Sequence, residues 1–275
     1  MGGFAHVARG EHPQALVLAE RGKALSSEPA MWLTPATLVV QALGLSSRYD
    51  EALKAFAEAL PVAEAVGRKN SLAQLYVIAG VARCRLGQPG REDLQHAIAL
   101  YDQAGDQDNV TISRFQLATM LLEAGQAGAA APYLDESVTY WETLSNRTML
   151  ASATNDRALA HLLAGELTAA HATASQALDQ ARAAGYPMLE VAAQATLAEV
   201  AADSGQLAIA DLAAADALAD ATRLGLGSSA NDARRAQITI LLARRDRAGA
   251  RRLIDAARAT VITPVDAALL DLADG

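Results

Sequence analysis

Apolar and polar positions along this chain follow a two-beat rhythm. Stretches of about 15 to 18 residues rich in alanine and leucine alternate with short polar breaks, the spacing of helices that stop at a turn and start again. One series of breaks falls at Gly10, Ser47, Gly87, Gly125, Gly165 and Gly205 and ends at Arg245-Asp246, while a second interleaves at Gly67, Gly105, Ser145, Gly185 and Gly225. Laid on itself with a step of 40 residues, LLAGELTAAHATASQALDQARAAGYP meets VAADSGQLAIADLAAADALADATRLGLG, so that Gly165 falls on Gly205, Ala170 on Ala210, Ala177 on Ala217 and Gly185 on Gly225. Two breaks per period mean two helices per unit. The pattern predicts an all-α array of antiparallel helical hairpins.

Small residues sharpen the register. Five positions after the first break stand Ala15, Ala52, Glu92, Ala130, Ala170, Ala210 and Ala250, and seven further on stand Gly22, Ala59, Ala99, Ser137, Ala177, Ala217 and Ala257. Helices that approach within about 8 to 10 Å require side chains of this size at their crossing. Glu92 breaks the column, in a stretch, LGQPGRED, that also inserts Pro89.

The stretch SSRYDEALKAFAEAL, with Tyr49, Ala52, Phe56 and Ala59, resembles the turn and second helix of a tetratricopeptide repeat. Elsewhere Leu167 and Leu207 replace the aromatic, and the first-helix glycine survives as Gly80, with Ala118, Ala158 and Ala198 in its place. The period of about 40 exceeds that family's 34 and is similar to the solenoid regions of MalT-like bacterial signal-transduction regulators. The resemblance implies a right-handed α-solenoid of about seven hairpins in one domain over residues 1–275. Their approximate limits are 1–27, 28–69, 70–106, 107–146, 147–186, 187–226 and 227–262, followed by a terminal helix over 263–275 that opens at Thr263-Pro264. The leading helix of the first hairpin shrinks to residues 4–9, too short to cover the next hairpin, so the chain is expected to belong to a longer regulator or to dock at that end.

Composition agrees with a helical core and narrows the setting. The chain is 52% hydrophobic and only 4% aromatic, a mixture dominated by good helix formers. Cys84 is the only cysteine, so no internal disulfide forms, and with no export signal or spanning run the expected location is cytoplasmic. Net charge is -8, which argues against nucleic acid as a partner, although nine arginines against three aspartates make residues 223–258 basic. That basic segment reads as a solvated face, with docking onto an acidic partner as its alternative.

Candidate chemistry is sparse, and no catalytic residue, cofactor site or metal ligand is predicted. The five histidines show no metal spacing; His161 and His171 merely share a hairpin. Cys84, between Arg83 and Arg85, reads as a small core residue, with a reactive thiol as the alternative. LGLGSSAND, beginning at Leu224, has a glycine pair but neither the lysine of a phosphate loop nor a preceding strand. It reads instead as a joint in which Gly225 ends one helix and Ser228, Ser229 or Asn231 caps the next.

The expected activity is therefore recognition rather than catalysis. By resemblance, the first helices of successive hairpins line a concave face, carrying Thr37 and Gln41, then Gln74, Val77, Val81 and Cys84, then Phe115 and Thr119. Ser152, Asn155 and Leu159, Glu199, and Asp232, Arg235 and Thr239 continue it. The residues expected to contact a protein, a peptide or a small effector are Gln74, Val77, Val81, Phe115, Thr119, Asn155, Glu199 and Arg235. A scaffold that joins copies through the solenoid ends, giving a homo-oligomer, is the competing expectation, and no membrane partner is expected. Arg157 stands where the family pattern has a buried leucine; a register slip is the simplest explanation, and a buried Arg157 would need Asp156, a neighbouring acid or a bound anion as its partner.

Overall fold

A computed structural model of the chain describes residues 11–225 and 227–257. The expected break at Gly10, the leading helix over 4–9 and the terminal helix over 263–275 lie outside these residues. So do the side chains of residues 226–229, 231, 232 and 256–257, and with them the expected roles of Ser228, Ser229, Asn231, Asp232 and Ala257. All regular structure among the described residues is helical, in thirteen helices.

The chain divides into two compact units, Met1–Leu117 and Ala118–Gly275. The first contains α1 (His12–Leu25), α2 (Pro29–Leu45), α3 (Tyr49–Val66), α4 (Lys69–Arg85), α5 (Arg91–Ala104) and most of α6 (Gln107–Glu123). The second contains the end of α6 and then α7 (Ala127–Thr143), α8 (Arg147–Leu163), α9 (Leu167–Ala184) and α10 (Pro187–Asp203). It continues with α11 (Leu207–Arg223), α12 (Gly227–Ala243) and α13 (Arg247–Ala257). Within each unit, consecutive helices pack against each other, and first helices also meet the next first helix, as α2 meets α4 and α10 meets α12.

The breaks read from sequence are the places where helices end. Gly67, Gly105 and Gly185 sit at helix C-termini with φ of 70°, 73° and 64°. Three breaks lack glycine, and there Ser47, Ser145 and Arg245 take positive φ of 57°, 54° and 61°. The bonding around them is of the Schellman type, in which the residue after the break donates to the carbonyl five positions back. Gln126 N donates to Leu121 O, Glu166 N to His161 O and Gln206 N to Ala201 O, each within 2.9 Å. At LGLGSSAND, α12 already begins at Gly227, so Ser228 and Ser229 stand in its first turn instead of before it.

Core clusters of the two units differ in side-chain size. In the first, Leu33, Val40, Phe56 and Leu75 pack with Ala36, Ala59, Ala63 and Ala79, and Ala73, Ala97, Leu100, Tyr101 and Val110 form a second cluster. Each fully buried leucine there contributes about 1.5–3 kcal/mol. In the second, Ala195, Ala198, Ala201, Ala202, Ala210, Ala214 and Ala236 close around Ile240.

Near residue 90 the register departs from the expected columns. Glu92 and Ala99 are exposed, while Gly90 and Ala97 are buried. The cause is a shortened half-period: Gly87 and Gly105 stand 18 residues apart where Ser47 and Gly67 stand 20 apart, so counting forward from Gly87 overshoots by two residues, and α5, starting only at Arg91, is the shorter helix. Counting back from the next break succeeds, since Ala97 precedes Gly105 by the same interval as Ala59 precedes Gly67 and Ala177 precedes Gly185. Gly90 then occupies the place of Ala52 and Ala130. A Cβ on it would fall 2.1 Å from the Gly80 carbonyl oxygen, so the backbones of α4 and α5 touch where other hairpins interpose a methyl group.

Candidate binding site

In the first unit the helices α2, α4 and α6 leave an open pocket of about 390 Å³. Gln41 and Leu45 line it from α2, Asn70, Ser71, Gln74, Val77, Ile78 and Val81 from α4, and Asn109, Ile112, Ser113 and Gln116 from α6, with Tyr49 and Tyr101 completing the wall. The spacing of the α4 residues, 70, 74, 77, 78 and 81, is the i, i+3, i+4 stripe of one helix face. At the α2 edge the close packing leaves no room for a side chain on Gly44, whose Cβ would lie 2.7 Å from Ile78 Cγ2.

Polar groups in this wall are amides and hydroxyls. Asn70 and Asn109 each donate through Nδ2 to Asp106 Oδ2 at 2.9 Å, and the Asn109 backbone N donates to Asp106 Oδ1 at 3.2 Å. That carboxylate is thereby fixed onto the start of α6. The Oε1 atoms of Gln41 and Gln116 are shielded from solvent and accept no hydrogen bond. Tyr101 is buried, and desolvation of its phenolate pushes its pKa up to about 12, so it stays a neutral phenol.

Of the residues expected on the concave face, Gln74, Val77 and Val81 come together in this pocket, joined by Gln41. Phe115 is half-buried on α6 but outside the lining, because the pocket is flanked by the 109–112–116 stripe of that helix. Thr37 is buried and donates to the Leu33 carbonyl at 2.9 Å. Asn70, Asn109, Ile112, Ser113 and Gln116 were not among the expected contacts. One signal for them was present, the recurrence of asparagine at Asn70 and Asn109 just after two second-series breaks.

The remaining candidates belong to the second unit. Thr119 donates to Asp156 Oδ2 at 2.7 Å. Asn155 is 8% exposed, and its Oδ1 accepts no hydrogen bond. Glu199, also 8% exposed, is bridged by Arg235 Nε at 3.2 Å, so the two polar anchors read separately from the sequence form a pair. Arg157 is not buried and does not pair with Asp156; it reaches Asp135 of α7 at 2.8 Å. His161 Nδ1 lies 2.6 Å from Glu166 Oε2, so its contact is an acid of the following turn. Within the basic segment, Arg223 pairs with Asp220, Arg244 with Asp211 and Arg251 with Asp255. Among the described residues no cluster of three or more His, Cys, Asp or Glu could hold a metal ion, and no helix is long and apolar enough to cross a membrane.

No protein-family model matches the sequence, and no curated protein matches it. Solved structures do resemble it. A Rap protein complexed with competence and sporulation factor aligns over 92% of this chain and 72% of its own, with a TM-score of 0.74 and 12% identity. A signal-transduction ATPase with numerous domains and a tetratricopeptide repeat sensor, from Pyrococcus horikoshii, aligns over 88% of this chain and 37% of its own, at TM-score 0.67 and 11% identity. The apo form of RapI aligns over 94% and 74%, at TM-score 0.60 and 12% identity. At such identities the shared property is the fold. This chain is an all-α helical-repeat array of the tetratricopeptide type.

Proposed function

We propose that the chain is a non-catalytic recognition module that binds a peptide or a protein segment on the first helices of its hairpins, as part of a regulatory protein. The observation that carries this is the pocket of the first unit, whose Gln41, Gln74, Val77, Val81 and Gln116 combine apolar surface with amide groups. Concave sites of a few hundred Å³ with apolar walls and a few convergent polar groups are the usual form of ligand sites. The buried, unbonded oxygens of Gln41 and Gln116 add a reason for a ligand, since such acceptors cost about 1–3 kcal/mol each until they find a donor.

Two similar structures support a regulatory role by their own descriptions: a Rap protein in complex with a competence and sporulation factor, and a sensor within a signal-transduction ATPase. In the second unit Asn155, Glu199 and Arg235 are the proposed polar contacts, and Phe115 and Thr119 the proposed contacts on α6. Selection of binders from a displayed peptide library, repeated on Val81→Asp and on Asn155→Ala, tests the reading. Enrichment by the parent that collapses with Val81→Asp supports it, and identical selections on parent and both variants contradict it.

A second reading, association between copies, rests on the first hairpin. There Val17, Leu25 and Met31 are 68%, 77% and 62% exposed on α1, its end and the start of α2. Light scattering over a concentration series tests it, since a constant monomer mass would rule it out.

A further inference from the structure

The sixteen residues that line the pocket include no Asp, Glu, Lys, Arg or His, although one residue in five of the chain is charged. The neighbouring carboxylate, Asp106, is already engaged by Asn70, Asn109 and the α6 backbone. Of the two tyrosines in the wall, Tyr101 is held neutral and Tyr49 donates to Ser47 Oγ at 3.3 Å. What remains are the hydroxyls of Ser71 and Ser113 and carboxamides on three successive first helices, Gln41 on α2, Gln74 on α4 and Gln116 on α6, interleaved with Val77, Ile78, Val81 and Ile112.

We infer that this pocket selects an uncharged, internal stretch of extended polypeptide and reads its main chain through Gln41, Gln74 and Gln116; the inference rests on the peptide-binding reading above. Each carboxamide offers one acceptor and two donors, the complement of a peptide group that offers one donor and one acceptor. Turning a carboxamide about its last torsion exchanges the two ends, so the buried Gln41 and Gln116 oxygens can be brought to meet peptide N–H groups. Three first helices set about 8–10 Å apart span ~16–20 Å, which is the length of about five extended residues. That geometry suits an elongated ligand better than a compact one. An anion would lose its hydration here and face the negative charge of Asp106. A cation would lose its hydration beside a carboxylate whose oxygens already accept from Asn70, Asn109 and the α6 backbone, so charge of either sign binds less well than a neutral residue. The neighbouring Val77, Val81 and Ile112 then take the aliphatic side chains of the bound segment.

The test uses the full chain and labelled decapeptides, acetylated and amidated, composed of Ser, Asn, Gln, Val and Ile, against the same pool with a single Glu or a single Lys at the centre. Fluorescence anisotropy is expected to show binding of the neutral pool, and at least tenfold weaker binding of both charged pools. Gln74→Glu is expected to reverse this for lysine only, raising affinity for the Lys pool at least tenfold and leaving the Glu pool weak. A gain of binding cannot come from misfolding, and circular dichroism confirms helicity in each variant. Charged pools that bind the parent as well as the neutral pool overturn the inference and leave the peptide-binding reading standing. A Gln74→Glu variant with unchanged preference places the contact elsewhere and also overturns it. Absence of binding by all three pools overturns both.

Discussion

The two units use one repeat pattern to build different interiors. The first packs Leu33, Val40, Phe56, Leu75 and Tyr101 among its alanines, and the second includes a cluster of seven alanines around Ile240 beside larger groups such as Leu134, Trp141, Val191 and Val200. The first unit also has an open, charge-free pocket between first helices, although its α4 and α5 backbones touch at Gly80 and Gly90. In the second unit, the corresponding helices carry ion pairs and charge-assisted bonds, Glu199 with Arg235 and Asp156 with Thr119. The polar groups on the first helices thus differ between the units, carboxamides around a pocket in the first and charged pairs beside the unbonded Asn155 oxygen in the second.

The sharpest way to break this contrast is to exchange volumes. Leu75→Ala in the first unit is expected to lose about 3–4 kcal/mol, because a fully buried leucine leaves a cavity that a rigid array fills poorly. Gly90→Ala is expected to cost about 3 kcal/mol, since its Cβ would strike the Gly80 carbonyl and a backbone atom cannot swing aside. Ala210→Leu in the second unit has no room either and is expected to cost about 2 kcal/mol by overpacking. Urea denaturation followed by circular dichroism measures all three. Equal tolerance of Ala210→Leu and of a surface leucine substitution would show that the second unit is not closely packed.

Alkaline pH separates the units next. Tyr101 has a folded pKa raised from 10 to about 12, so its neutral form stabilises the first unit fully below pH 10. Between pH 10 and about 12 the unfolded chain ionises first and that contribution drains away, by on the order of 2 kcal/mol. Tyr101→Phe is expected to flatten stability over this window, and an unchanged slope would assign the loss to other groups. In the second unit Asp203, exposed as a residue, has a pKa raised by partial desolvation of its carboxyl, which favours its protonated form in the fold. Its contribution is present below the usual carboxylate range and is lost as pH rises through the raised value, so Asp203→Asn is expected to gain slightly at neutral pH and nothing in acid.

The smallest expected effect is at the turns. Ser47→Gly in the first unit and Ser145→Gly in the second relieve a left-handed residue with a Cβ and are each expected to stabilise by about 1 kcal/mol. A shift in melting temperature for one and not the other would mean that the two breaks, alike in φ, differ in context.

Much of this architecture was legible in glycine spacing, because a helix terminator in the left-handed region constrains residue type directly. Gly165, Gly185, Gly205 and Gly225 therefore marked helix ends without help from packing. The columns of small residues were legible only where the spacing between breaks was constant, and they failed at Glu92 and Ala99 because Gly87 and Gly105 lie 18 residues apart instead of 20. The pocket was legible in part for a related reason. Gln74, Val77 and Val81 lie on the α4 face that the pattern identifies, whereas the choice between Phe115 and Gln116 on α6 turns on a rotation of about 100° per residue, which alanine-rich periodicity does not resolve. For Arg157 the need for an acid was legible and the choice of acid was not: its long side chain reaches Asp135 on α7.

The turns also bear on how such a chain changes length. At Gly125, Gly165 and Gly205 a Cβ would meet nothing within 4 Å, so these joints are held by backbone preference and carry no packing of their own. A cut after Gly165 rejoined after Gly205 would bring Ala164-Gly165 onto Gln206-Leu207, remake the same kind of joint, and set Ala210 where Ala170 had been. Gain or loss of one whole period therefore remakes the joint in a single recombination event and asks that α8 pack on α11 where it had packed on α9, with Ala210 in the place of Ala170.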